Sequence, residues 1–268
     1  MLKRLLLPLL LLAAPALSPA LAHDTWVETN TPLIRSGDAV YVDLKLGNHG
    51  NAHRDFKLAS KLDPEGATLA VILPDGKAFD LKPGLADLGL APKEGYWEAK
   101  FAPAKPGFHI VAHTLDKVVN HGKPTRSVKS AKTVFLVSKS LDRVASDTPG
   151  FDRVLGHALE LVPVKSPVAP AGPGQPLEVM VLFRGKPLPD AMVSFVPSGE
   201  TLKEGFDPRY ECKTDAKGCA RFTPKTGAHF LVVVHHDAPA ESGEGYEATA
   251  YSATLSVRVP DACPCCGG

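Results

Sequence analysis

Proline and glycine break this chain so often that long helices have little room to form. There are 25 prolines and 23 glycines in 268 residues. Proline fixes φ and removes a backbone donor, so it suits turns and strand edges rather than helix interiors. Helical periodicity is correspondingly hard to find. Between the breaks lie short alternating or β-branched runs at 39–46, 68–73, 96–101, 108–115 and 133–137. A second series follows at 157–162, 177–183, 192–196, 220–223, 229–235 and 248–259. Turn signals such as Pro74-Asp75-Gly76, Lys105-Pro106-Gly107 and Thr226-Gly227 separate them. Many short strands with this punctuation indicate an all-β chain built from β-sandwiches. The polar stretch 138–150 divides the two series. We therefore expect a sandwich over 23–140, a linker at 141–150, a second sandwich over 151–260 and a tail at 261–268. A Pro/Gly-rich segment at 163–176 is expected to cross between strands of the later unit, and brief helices only near 56–62 and 151–155.

Residues 1–22 read differently. Met1-Leu2-Lys3-Arg4 precedes an apolar run from Leu5 to Leu17, and Ala20-Leu21-Ala22 ends the segment. A basic start, an apolar centre and a small-x-small ending describe a cleaved secretory signal. The run is also shorter than the roughly 20 residues of a membrane-spanning helix. Cleavage after Ala22 makes His23 the first residue of the mature chain, with a free α-amino group beside its imidazole. Those two nitrogens can close a chelate ring on Zn, Cu or Ni. Without Lys3 and Arg4, 28 basic residues face 29 acidic ones. Near-neutrality gives no electrostatic case for nucleic acid or an anionic membrane as partner. No second apolar run reaches membrane length, so the mature chain is expected without a transmembrane segment, in the periplasm or secreted.

Export favours oxidised cysteines. Cys212 and Cys219 flank Lys213-Thr214-Asp215-Ala216-Lys217-Gly218, which reads as a hairpin turn, and cross-strand neighbours come within disulfide reach. A structural Cys212–Cys219 bridge is expected, stabilising by a couple of kcal/mol at most. Cys263, Cys265 and Cys266 lie in the tail. An odd thiol remains there whatever pairs, so the tail either captures a soft ion through thiolates or is oxidised or linked to a partner.

Six of the ten histidines fall in the first series: His23, His49, His53, His109, His113 and His121. The segment Gly47-Asn48-His49-Gly50-Asn51-Ala52-His53-Arg54-Asp55 reads as a loop, where binding residues are commonly placed. Two nitrogen ligands of one ion lie about 3–4 Å apart, and a loop can bring His49 and His53 that close. Asp55 is placed as an outer acceptor that fixes an imidazole tautomer. The alternative is a solvated polar turn. His109 and His113 share one face of a strand, separated by about 13 Å, so at most one joins such a site. His113 is chosen for its nearness to His121 in the next turn, and His109 is read as a surface residue. His235 and His236 end a strand and point to opposite faces, so at most one of them reaches a shared site; His157 and His229 read as ordinary strand residues, and none of these four is taken as a ligand.

The later half carries a resemblance. Gly185-Lys186-Pro187-Leu188-Pro189-Asp190-Ala191-Met192-Val193, Thr214-Asp215-Ala216-Lys217-Gly218 and Thr226-Gly227-Ala228-His229-Phe230 resemble prealbumin-like and Ig-like modules. With His23-Asp24-Thr25-Trp26 at the start and Leu159-Glu160-Leu161-Val162-Pro163 at the junction, the chain resembles the DUF4198 family. The resemblance implies two tandem Ig-like sandwiches and an exported protein, in some members linked to periplasmic nickel or cobalt uptake. The cysteine tail is no part of that pattern.

No Gly-x-Ser-x-Gly elbow, His-Glu-x-x-His, phosphate loop or dinucleotide fingerprint occurs, and nothing names an enzyme. The expected function is binding of a divalent transition metal (Ni, Co, Cu or Zn) for uptake, delivery or buffering, with a metal-transport membrane complex as a possible partner. The expected ligands are His23, His49, His53, His113 and His121. Two other readings stand beside it: tandem Ig-like modules that bind a protein or glycan with no metal role, and a copper oxidoreductase built on His23.

Overall fold

The computed structural model describes residues 23–47, 62–91, 94–120, 122–141 and 144–262. Strand dominates them, and the only helix among the described residues is a 3₁₀ turn at Lys82–Gly84. The all-β expectation holds, and each of the eleven expected runs contains a strand.

The strands form three sheets. The largest, nine-stranded, runs in the order β14 (Glu211–Lys213), β13 (Met192–Pro197), β16 (Ala228–Ala238), β17 (Ala248–Val259), β9 (Pro124–Ser138), β8 (Gly107–Asn120), β4 (Ala67–Ile72) and β5 (Ala78–Asp80), with β2 (Leu33–Arg35) also on β9. A four-stranded sheet takes β1 (Asp24–Thr29), β3 (Val40–Gly47), β7 (Glu94–Phe101) and β6 (Ala86–Ala91). The other takes β10 (Leu159–Pro163), β11 (Leu177–Phe183) and β12 (Lys186–Pro187), with β15 (Cys219–Phe222) on β11.

Side-chain alternation shows how these layers stack. On β9, Ala131, Phe135 and Val137 enter the core formed with Val40, Val42, Leu44 and Val27 of the first four-stranded sheet. The opposite parity sends Ser130 Oγ to Leu159 O (2.6 Å) and Lys132 to Glu160, both on β10. The two smaller sheets thus cover opposite faces of the large one. The first covers its earlier strands; the second covers β13, β16 and β17 over a separate core of Leu161, Val181, Phe195, Val232 and Leu255. A parallel pairing of β17 with β9, Ala248–Ser256 beside Thr125–Thr133, makes the large sheet continuous between the two cores.

This layering explains why β8 reads as apolar at both parities. Val111 and Leu115 face the first core, while Phe108 and Ile110 join Val134, Leu136 and Val168 on the other side. A strand covered on both faces has no solvated side to encode.

Several expectations are corrected. His109 is not a surface residue: it is fully buried, stacked on Phe135 at 5.0 Å. The histidine face of β8 looks into the sandwich. His157 precedes β10 rather than lying in a strand, 151–155 forms a turn and not a helix, and 163–176 links β10 to its own neighbour β11. Cys212 and Cys219 do not end one hairpin. Cys212 pairs with Val193 in the large sheet, and Cys219 pairs with Met180 in the smaller one. Both are free thiols in the structure.

The later motifs have local causes. Arg184 and Gly185 both adopt positive φ (52° and 74°) between the paired residues Phe183 and Lys186, which is the two-residue turn whose twist suits a hairpin. Asp215 Oδ1 accepts from the amides of Lys217 (2.8 Å) and Cys219 (2.9 Å). Gly218 follows at φ 74°, where a Cβ would lie 2.9 Å from Val181 O.

Candidate functional site at the head of the first strand

β1 belongs to the first small sheet yet lies against the far half of the large one. Its even-numbered side chains meet the odd-numbered ones of β16. Trp26 is fully buried against Leu231 and Val233. On one side of it Asp24 meets His235; on the other Glu28 meets His229. His235 Nε2 lies 3.0 Å from Asp24 Oδ1 and 3.2 Å from Oδ2. His229 Nδ1 lies 3.7 Å from Glu28 Oε1, which also accepts from Trp26 Nε1 at 2.6 Å. Main-chain bonds complete the seam: Thr254 Oγ1 donates to Thr25 O (2.8 Å), and Lys129 Nζ donates to His23 O. The His-Asp-Thr-Trp start is therefore the segment that clasps the two halves.

Electrostatics differ along this seam. Burial alone would raise the Asp24 carboxyl, but His235, Lys129 and Ser252 outweigh it and hold the group below its usual value. The Asp24 carboxylate pushes His235 up, against burial. Burial lowers Lys129, and Asp24 opposes that shift. At the other end Lys45 Nζ bridges Glu28 Oε2 (2.7 Å) and Asp43 Oδ2 (3.1 Å). Burial pushes Asp43 up to about 6 despite that lysine.

His113 is fully buried, and its Nδ1 lies 2.8 Å from Thr68 O. Its Nε2 has no hydrogen-bond partner among the described residues, and neither has His109 Nε2 or His157 Nδ1. Burial pushes His113 down to about 4, so the ring is neutral near pH 7. A neutral imidazole with one nitrogen on a backbone carbonyl is the form in which histidine ligates metals. A cavity of about 170 Å³ lies between the β8–β9 hairpin and β10, lined by Thr114, Asp116, Lys129, Ser130, His157 and Ser252 among others, and His113 does not line it.

The expected ligand set is only partly on view. His23 is exposed at the head of β1, and His113 sits inside the sandwich. His49, His53, Asp55, His121 and Cys263, Cys265 and Cys266 lie outside the described residues, as do residues 1–22. Among the described residues no three His, Cys, Asp or Glu side chains converge as a metal-holding group. The sequence gives Asp24 and Lys129 no role, sets His235 aside as one of two histidines on opposite faces of a strand, and offers Glu160 only as part of a junction motif. Asp24 was adjacent to the residue singled out, which was a usable signal. His235 is 211 positions away from Asp24, and no local pattern links them.

A buried pair lies on the opposite face. Lys132 on β9 meets Glu160 on β10, with side chains 3% and 1% exposed. Glu160 also accepts from the amides of Leu155 (2.6 Å), Gly156 (2.9 Å) and His157 (3.1 Å). Burial opposes the carboxylate, but Lys132 and these amides keep Glu160 ionised. This is the role of the glutamate in the Leu-Glu-Leu-Val-Pro motif.

No helix among the described residues is long and apolar enough to cross a membrane. No curated protein matches the chain. Similar solved structures include trypsin-activated alpha-2-macroglobulin from Escherichia coli, 14% identical, TM-score 0.26, over 89% of this chain and 16% of that one. A DUF4785 family protein from Legionella pneumophila is 14% identical, TM-score 0.28, over 78% and 51%. The adhesin InvE of Yersinia pseudotuberculosis is 13% identical, TM-score 0.21, over 88% and 58%. The chain spans less than two thirds of each of these. A family model described as a domain of unknown function, DUF4198, matches residues 20–238. The His-Asp-Thr-Trp clasp, the buried junction glutamate and the Thr-Asp-x-x-Gly turn all fall within that match, and the chain belongs to the DUF4198 family.

Proposed function

We propose that this is an exported protein that binds one divalent transition-metal ion through His23 and serves in its uptake, delivery or buffering. The observation that supports the reading is the anchoring of His23. Its carbonyl accepts from Lys129 Nζ, and Lys129 is 7% exposed on the large sheet. Rigid elements hold ligands more precisely than loops do, so the amino group released by cleavage after Ala22 starts from a fixed position. The donors offered there, amine and imidazole, suit Cu, Ni, Co and Zn. His113, His49, His53 and His121 remain the further ligands of this reading, with the cysteine tail as a separate soft-ion candidate.

Calorimetric titration of the mature protein with Ni, Co, Cu and Zn under chelator competition tests the reading. The expected result is binding tighter than about 1 μM, worth roughly 8 kcal/mol, that is lost in His23→Ala. Weaker binding, or binding that survives the substitution, overturns it.

A further inference from the structure

We infer that Asp24 and His235 complete the metal site at His23, so that the ion sits on the seam between β1 and β16. This rests on the reading that His23 is the exported chain's first residue. The first observation is spacing. His235 Nε2 stands 3.0 and 3.2 Å from the two Asp24 oxygens. Two donors bound to one ion at about 2.0–2.2 Å each are separated by about this much, so an ion can replace the shared proton with little movement. The second is access. The His235 side chain is 52% exposed, whereas Asp24 is 14% exposed. The imidazole is reachable from solvent while the carboxylate is held from behind.

The third observation is rigidity. Asp24 opens β1 and His235 lies within β16, where it pairs with Ser252 of β17. Fully buried Trp26 and the Thr254–Thr25 bond fix β1 two residues or fewer away. Donors on packed strands arrive preorganised, which reduces the ordering cost of binding. The fourth is the donor count. Only two side chains converge here; cleavage would free the His23 amine beside the imidazole that the residue already carries, and turning that exposed side chain to the ion makes four donors from three residues. Nitrogen with one carboxylate oxygen suits a borderline divalent ion over calcium or magnesium. His113 is not required by this arrangement, and its burial inside the sandwich is then a matter of packing.

The competing explanation is that Asp24 and His235 form a clasp and nothing more. Cu(II) titration with chelator competition, read by calorimetry and EPR, separates the two. The protein used is the full chain exported and processed, with its terminus fixed by intact mass. His235→Gln keeps an amide donor toward Asp24 and so preserves the clasp while removing the imidazole; Asp24→Asn is its counterpart. Circular dichroism checks that each variant is folded. We expect each to weaken Cu(II) binding at least tenfold and to change the EPR hyperfine pattern, with fewer coupled nitrogens in His235→Gln. An extra alanine before His23 is expected to weaken binding as strongly. If folded His235→Gln and Asp24→Asn bind Cu(II) with unchanged affinity and spectrum while His23→Ala does not bind, this inference falls and the function proposed above stands. If the unsubstituted chain binds none of the metals, both fall.

Discussion

Of the ion pairs that tie the halves of this molecule together, two are built in opposite ways. Lys132–Glu160 is sealed between β9 and β10, with every oxygen of the carboxylate engaged. Asp24–His235 sits at the rim of the β1–β16 seam, with the imidazole half in water. Both are carboxylates meeting a cation donor across the same sheet, on its two faces. The sealed pair is costly to disturb and unreachable by solutes, which makes it a structural joint. The rim pair is cheap to disturb, reachable and next to His23, the residue proposed above as a metal ligand. Depth decides between the two roles, since attraction is strong in the interior but so is the desolvation cost.

The comparison breaks most severely at Glu160. Glu160→Leu leaves Lys132 buried without a counter-charge, an effect of about 3–5 kcal/mol, and orphans three amides worth about 1–3 kcal/mol each. Urea unfolding is expected to show a loss at or beyond 5 kcal/mol, or no folded protein. Lys132→Met is expected to cost clearly less, because the three amides still hold the carboxylate. Equal losses for the two would show that the amides contribute nothing.

Next comes the anchor of the rim seam. Trp26→Ala opens a cavity against Leu231 and Val233, and a Trp-to-Ala change in a core costs about 3–5 kcal/mol. Because Trp26 lies between the two carboxylate–histidine pairs, hydrogen exchange in β1 is expected to rise more than in β3. Uniform acceleration across the sheet would contradict the seam.

Acid separates the interior from the rim by sign. His113 has a folded pKa of about 4 against 6.5 in the unfolded chain, through burial. Between those values the unfolded chain binds the extra proton, so stability falls as pH drops from 6.5 to 4, by about 3 kcal/mol for a full shift of this size. Asp43, pushed up to about 6 by burial, has the opposite slope between pH 3.8 and 6. The test is therefore a difference: His113→Gln is expected to be less sensitive than the unsubstituted chain between pH 6.5 and 4. His235, raised by Asp24, adds stability below pH 6.5 that fades as pH rises through its folded value.

The smallest effect on stability belongs to His235 itself. Its pair is half exposed, and such pairs contribute about 0–1 kcal/mol. His235→Ala is expected to shift the thermal midpoint by only a few degrees without metal. A loss above 2 kcal/mol would place it with Lys132–Glu160 as a joint.

The strands of this fold were legible because their signals are local. Alternation in Val40–Gly47 and proline-bounded runs such as Leu177–Phe183 specify strands whatever they pair with. Strands missed were short or exposed, such as Ala78–Asp80 and Lys186–Pro187, where two or three residues carry no period. β1 is absent from the expected runs for another reason: in Asp-Thr-Trp-Val-Glu-Thr the only apolar residues, Trp26 and Val27, are adjacent and do not alternate. The site was legible only in part. His23 stood out through its place after Ala22, but its surroundings did not. His109 and His113 were placed correctly on one face of β8, yet alternation says only that a face is shared, not what covers it.

Composition and spacing alone determined that this chain is all-β and rich in turns. They also determined that His23 follows a signal-like segment, because each of these is written in neighbouring residues. Only the tertiary structure decided that the halves share one sheet and that Cys212 and Cys219 join different sheets. It also decided that β8 turns its histidines inward and that Asp24 meets His235. Those contacts join residues 100 or more positions apart or depend on which layer covers a face. Such pairing is set by the burial of whole sheets and not by any local preference.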